Sequence, residues 1–210
     1  MLERIPRRER IDLAIAWLAI AIAFTIARFN LLGGGVNPVS ALYVFLVSLL
    51  TVGIGFVLHE LAHKFMAMHF GYWAEFRKDN QMLLIAVVLA ALAGVVFAAP
   101  GATVIYGDRI GRRESGLISA AGPVTSLALA LVFLVAFLAA PASLIGAIGL
   151  SGFQINAMIG AFNMLPVSVL DGRKVLAWNV AVFAVLIVAA FALTYVALTP
   201  SVLGQLSSIL

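Results

Sequence analysis

Long apolar runs alternate with short polar clusters along this chain. The runs occupy residues 11–27, 41–65, 82–99, 116–140, 144–165 and 175–198, and each is long enough, or nearly so, to cross a hydrocarbon layer as a helix. The pattern predicts an all-α polytopic membrane protein with five to six transmembrane helices, built as a single integral membrane domain over 1–210. Gly33-Gly34-Gly35 with Pro38 predicts a tight connection after the first run, and Pro100-Gly101 marks a reversal after the third. The first run follows Arg4, Arg7, Arg8 and Arg10. It is longer than a leader core and has no small-residue cleavage site, so it reads as a retained span.

The basic residues constrain how the runs are threaded. All 13 Lys and Arg except Arg28 fall at the amino terminus, in Lys64 to Lys78, in Arg109 to Arg113, and at Arg173 and Lys174. If residues 82–99 crossed fully, the Arg109 cluster would lie opposite the amino-terminal arginines, against the positive-inside preference. A segment that enters and returns on one side places every basic cluster in the cytoplasm and brings Asp171 to the membrane level of His59. A helix of about 17 residues rises roughly 25 Å, and an extended return through Gly101 to Arg109 covers a similar distance. Irregular backbone at that depth is tolerated only where protein or a water-filled cavity satisfies its amides. The expectation is therefore five crossings plus a re-entrant, partly extended segment that lines a site.

Composition narrows the class. The 210 residues are 64% hydrophobic and 10% charged, with a mean hydropathy of +1.14, values foreign to water-soluble domains. A net charge of +4 spread along one membrane face gives no nucleic-acid patch. There is no cysteine, so a transition-metal site must use His, Asp, Glu or water.

His59-Glu60-Leu61-Ala62-His63 lies near the end of the second run. Residues four apart share a helix face, so two imidazoles there can grip one metal ion, and Glu60 is placed to take a proton from metal-activated water. The plainer reading is a pair of interfacial histidines beside a solvated Glu, but such groups in hydrocarbon are costly without compensation. Two candidates exist for a third ligand. His69 has the offset of H-E-x-x-H-x-x-G-x-x-H proteases, yet Met66 stands where that motif needs Gly, so a continuing helix turns His69 off the shared face. Asp171 closes Asn163-Met164-Leu165-Pro166-Val167-Ser168-Val169-Leu170-Asp171-Gly172, which is either an ordinary Asp-Gly turn or, given the threading above, a ligand segment.

H-E-x-x-H in one membrane segment and N-x-x-P-x-x-x-L-D-G in a later one resemble the site-2 protease family of intramembrane zinc metalloproteases (peptidase family M50). Ala121-Gly122-Pro123-Val124-Thr125-Ser126 is similar to the Ala-Gly-Pro stretch that opens the intervening helix of that family. The resemblance spans about residues 52–176 and suggests a catalytic core over 41–176. It implies His59, His63 and Asp171 as ligands of one Zn²⁺, Glu60 as general base, and Asn163 near the substrate backbone. It also implies that Pro100 to Tyr106 forms an extended edge able to pair with an unwound substrate. Ser126 departs from the Asn common in relatives.

The resulting expectation is a protease that cuts within or near single-span membrane substrates, with its site toward the cytoplasmic side of the bilayer. Such substrates are helical with every amide bonded, so they must unwind before cleavage. A transporter or channel is the rival reading, but polar residues are scarce in the spans outside the site. An inactive membrane interaction protein is a further alternative, against which the intact His59, Glu60, His63 and Asp171 argue. Oligomeric state is not encoded in any pattern here.

Overall fold

Long apolar segments form helices, and polar residues with free side-chain oxygens start several of them. In the computed structural model, which describes residues 4–29, 37–94, 96, 100–107 and 109–209, α1 covers Arg7–Phe29 and α2 covers Pro38–Ser48. The Gly33-Gly34-Gly35 turn lies outside the described residues. Asn37 caps α2 by accepting from Val39 N at 2.9 Å, with Pro38 at the first helical position. A π-helical turn at Leu49–Gly53 then leads without a break into α3, Ile54–His69. The turn is pinned from α1, where the Trp17 indole N–H donates to the Leu49 carbonyl at 2.8 Å and the ring lies against Gly53.

Past α3 the chain reverses, and strand β1 (Trp73–Lys78) runs back along that helix with Ala74 and Phe76 buried. The Phe76 ring meets Phe56 edge-on at 5.5 Å. A short apolar helix, α4 (Asn80–Ala93), capped by the Asp79 carboxylate, follows. Strand β2 (Gly101–Tyr106) then pairs antiparallel with β1, Trp73 opposite Tyr106 and Lys78 opposite Gly101. The chain that leaves at Lys78 is thus back beside Lys78 at Gly101, so α4 does not carry it across the molecule. The re-entrant segment differs in detail from the sequence expectation. Its helix ends at Ala93 and not near residue 99, and the extended return is strand β2, held in a sheet.

Helix α5 (Arg112–Ala139) runs antiparallel to α3, and α6 (Leu144–Asn163) returns beside it. The apolar run expected over 175–198 is in fact two helices, α7 (Asp171–Trp178) and α8 (Val180–Leu198), with α9 (Pro200–Ile209) beyond. Asn179 makes the break, since its side chain accepts from Ala181 N and Val182 N at 2.9 and 3.0 Å and so favours a new helix start.

Among the described residues, five helical segments are long and apolar enough to cross a membrane: Arg7–Phe29, Pro38–His69, Arg112–Ala139, Leu144–Asn163 and Val180–Leu198. Apart from one two-stranded sheet among the described residues, the protein is an all-α polytopic membrane protein. The start of α1, the end of α3, the start of α5 and helix α7 gather at one end of the bundle. They are tied there by contacts of Tyr72 with Glu114, of Arg112 with the Ala177 carbonyl, and of Glu9 with Lys64. Tyr72 lies outside the spans, and its hydrogen bond to the Glu114 carboxylate holds the phenol above its usual pKa range.

The Glu9–Lys64 pair joins the first span to α3 and β1. Both side chains are fully buried, the other Glu9 oxygen accepts from Phe76 N at 3.0 Å, and the Lys64 ammonium lies 5.2 Å from the Trp73 ring centroid. Helix α1 is thereby fixed to α3 and β1 by charge as well as by the cluster of Leu13, Ala16, Ile20, Val52, Phe56 and Phe76.

Candidate metal centre

Spacing on α3 sets His59 and His63 on one face, and that face is turned onto α5. His63 Nδ1 donates to the Ile118 carbonyl at 2.7 Å, and His59 Nδ1 lies 2.9 Å from Ser126 Oγ. A carbonyl can only accept, so Nδ1 of His63 carries a proton, and in the neutral ring Nε2 presents a lone pair. The Ser126 hydroxyl can hold His59 in the same tautomer. The approach of α5 depends on Gly122, since a Cβ there would press on Nε2 of both imidazoles, 2.6 Å from that of His59.

Asp171 reaches the same point from α7. It sits in the first turn of that helix, where exposed N–H groups favour a carboxylate. Gly172 lets the turn close, because a side chain at that position would meet the Met164 and Leu165 carbonyls. Asp171 Oδ2 lies 3.1 Å from His63 Nε2 and 3.5 Å from His59 Nε2, and the two Nε2 atoms are 3.1 Å apart. With the rings neutral, lone pairs face one another across these distances, an arrangement that a metal cation among them would satisfy. Bonds of about 2.0–2.2 Å at tetrahedral angles imply ligand–ligand separations of roughly 3.3–3.6 Å, close to those seen here. The donor set therefore fits one zinc ion with three protein ligands and a fourth position left over. Among the described residues it is the group of His and carboxylate side chains able to hold a metal. His69 is exposed at the end of α3 against Phe70 and is not part of it.

Glu60 is buried beside this cluster. Its Oε2 accepts from the Thr103 hydroxyl of β2 at 2.9 Å, and the same hydroxyl is 3.1 Å from the Glu60 carbonyl. A cavity of about 420 Å³ adjoins His59, Glu60, His63 and Asp171, and its walls include Ile20 and Phe24 of α1 as well as Pro100 to Thr103. Asn163 also lines it, but its amide N–H donates to the Ile159 carbonyl one turn back at 3.0 Å and does not reach Asp171.

Sequence reasoning singled out His59, Glu60, His63, Asp171 and Asn163, all of which border one cavity in the structure. It left Ser126 without a role and did not find the Ile118 carbonyl, the Thr103 hydroxyl or the cavity wall from α1. Ser126→Ala is expected to weaken metal binding about tenfold, the lower end for loss of a hydrogen bond behind a ligating imidazole. Competition with a chelator measures this, and unchanged affinity would remove Ser126 from the site.

A helical membrane protein whose buried side chains offer two imidazoles, one carboxylate and an adjacent Glu has the makings of a membrane-embedded metalloenzyme. Comparison with known proteins supports the metalloenzyme part of this reading. The chain is 43% identical over 183 residues, 87% of its length and 90% of the relative's, to a protein of Methanocaldococcus jannaschii provisionally named a zinc metalloprotease. It is 30% identical over 145 residues, 60% of its length and 66% of the relative's, to a Bacillus subtilis protein named in the same way. The chain belongs to this family of zinc metalloproteases. No family model matches it, and no solved structure matches it.

Proposed function

We propose that the protein is an intramembrane zinc metalloprotease of the site-2 type, cleaving peptide bonds within or near the spans of single-span membrane proteins. The observation that carries this reading is the meeting of His59 Nε2, His63 Nε2 and Asp171 Oδ2 within 3.1–3.5 Å beside Glu60 and a cavity inside a membrane fold. His59, His63 and Asp171 would hold one zinc ion, with the residues of 41–176 as catalytic core inside a single membrane domain. When bound, zinc acidifies water to a pKa of about 7 and polarises a carbonyl.

The chain's own residues supply the remaining steps. Glu60 takes the proton from water as its oxygen bonds to the scissile carbonyl carbon, then passes that proton to the amide nitrogen as the carbon–nitrogen bond breaks. Asn163, on the cavity wall, offers its free carbonyl oxygen to a substrate N–H. The free edge of β2 receives the unwound substrate backbone by strand addition. The end of the bundle holding Arg7, Arg8, Arg10, Arg109, Arg112, Arg113, Arg173 and Lys174 faces the cytoplasm by the positive-inside rule, and the site lies toward that side.

The test is cleavage of tagged single-span substrates by purified protein loaded with zinc. Glu60→Gln is expected to lower the rate by about 10²-fold or more at unchanged metal content. Cleavage that survives this substitution, or a wild type inert on every substrate, would defeat the reading.

A further inference from the structure

The hydrogen-bond parity of the sheet fixes which atoms of β2 are free. In an antiparallel pair, opposed residues alternate between those that bond to each other and those whose N–H and C=O point away from the partner. Phe76 N–H points away from β2, because it donates to Glu9. Phe76 stands opposite Thr103, so the pair is of the second kind and the main-chain N–H and C=O of Thr103 point to the outer edge of β2. Asp79 N–H donates to the Pro100 carbonyl at 3.0 Å. That pair lies three steps along the register and is of the bonded kind, as the alternation requires. Gly101 and Ile105 share the parity of Thr103, and all three border the catalytic cavity.

Thr103 therefore has two faces of use. Its main chain is presented to anything that lies along β2 in the cavity, while its hydroxyl sits between the Glu60 carboxylate and carbonyl. We propose that Thr103 is a positioning residue that sets the general base in register with the substrate backbone. The hydroxyl holds Oε2 and so leaves Oε1 to take the proton, and a substrate paired with the Thr103 main chain is placed at a fixed offset from that oxygen. The proposal rests on the proteolytic reading above. It adds that the choice of scissile bond is measured from this residue.

The experiment compares wild type, T103V, T103S and E60Q, all zinc-loaded, on one single-span substrate, with kcat, KM, cut position and metal content recorded. T103V keeps the shape and strand preference but removes the donor. It is expected to lose about 10²-fold in kcat, the effect of misplacing a reacting group by about an ångström, with KM and metal content unchanged, and T103S is expected to recover most of the loss. Wild-type kcat in T103V would overturn the proposal, as would a T103S no better than T103V. If T103V does not fold, T103S decides alone: kcat within a few fold of wild type and an unshifted cut support the proposal, and a large loss or a shifted cut overturns it. If wild type cleaves nothing, the proteolytic reading fails by itself, and crystal structures of wild type and T103V then decide. A Glu60 carboxylate that swings away without the hydroxyl supports its positioning role, and one that stays in place overturns it.

Discussion

Glu9→Gln is expected to destabilise the protein by about 3–5 kcal/mol, the range for removing one member of a fully buried ion pair. The amide still accepts from Phe76 N, so the substitution isolates the charge and leaves the Lys64 ammonium without a counter-ion in an apolar interior. Lys64→Met leaves the opposite orphan and is expected to lose a similar amount. The double variant should regain most of the loss, because a pair replaced by apolar or neutral groups of like volume is often close to neutral. Denaturation in detergent of the two single variants and the double one gives the coupling directly. Single variants within about 0.5 kcal/mol of wild type, the usual scale of a surface change, would mean that the pair does not hold α1 to the site.

The second large effect is expected at a residue with no side chain. Gly122→Ala places a methyl group against Nε2 of both imidazoles, where backbone of α5 and buried rings leave no slack. Either α5 withdraws, which breaks the His63–Ile118 and His59–Ser126 contacts, or the rings turn away from Asp171. Both routes separate the three donor atoms, so zinc content after purification should fall to background and cleavage should fall with it. Elemental analysis of purified wild type and Gly122→Ala tests this without any assumption about substrate. Full zinc occupancy in the variant would show that the donors meet elsewhere.

How much could be read beforehand follows from the distance over which each feature is encoded. His59, Glu60 and His63 are a local pattern on one helix turn, and spacing alone sets them on one side. Asp171 is 108 residues beyond His63 in the numbering, yet it could be placed because the distribution of basic residues limits how the chain is threaded. Thr103, Ile118 and Ser126 act through contacts with residues 43, 55 and 67 positions away; Thr103 and Ser126 lie in stretches that the sequence singled out, but nothing local marks the partners of any of the three. The role of α1 was hidden for the same reason. Glu9 lies among arginines that read as a topology signal, while its partner Lys64 is 55 residues away. Asn179 was missed differently, since apolar residues on both sides masked a strong capping residue. The same averaging made residues 82–99 look like one helix, although the helix stops at Ala93, where Gly94 takes a left-handed conformation.

The π-helical turn at Leu49–Gly53 sets the phase of the whole motif helix. Such a turn adds one residue to the winding, and each residue is worth about 100° of rotation. The azimuth of every side chain from Ile54 onward is therefore decided upstream, at a turn clasped by Trp17 and Leu49, which touches none of His59, Glu60 and His63. With the same residues wound as uninterrupted α-helix, His59 and His63 would advance together past α5, still a matched pair but aimed elsewhere. The motif supplies the grip, and the irregular turn supplies its bearing.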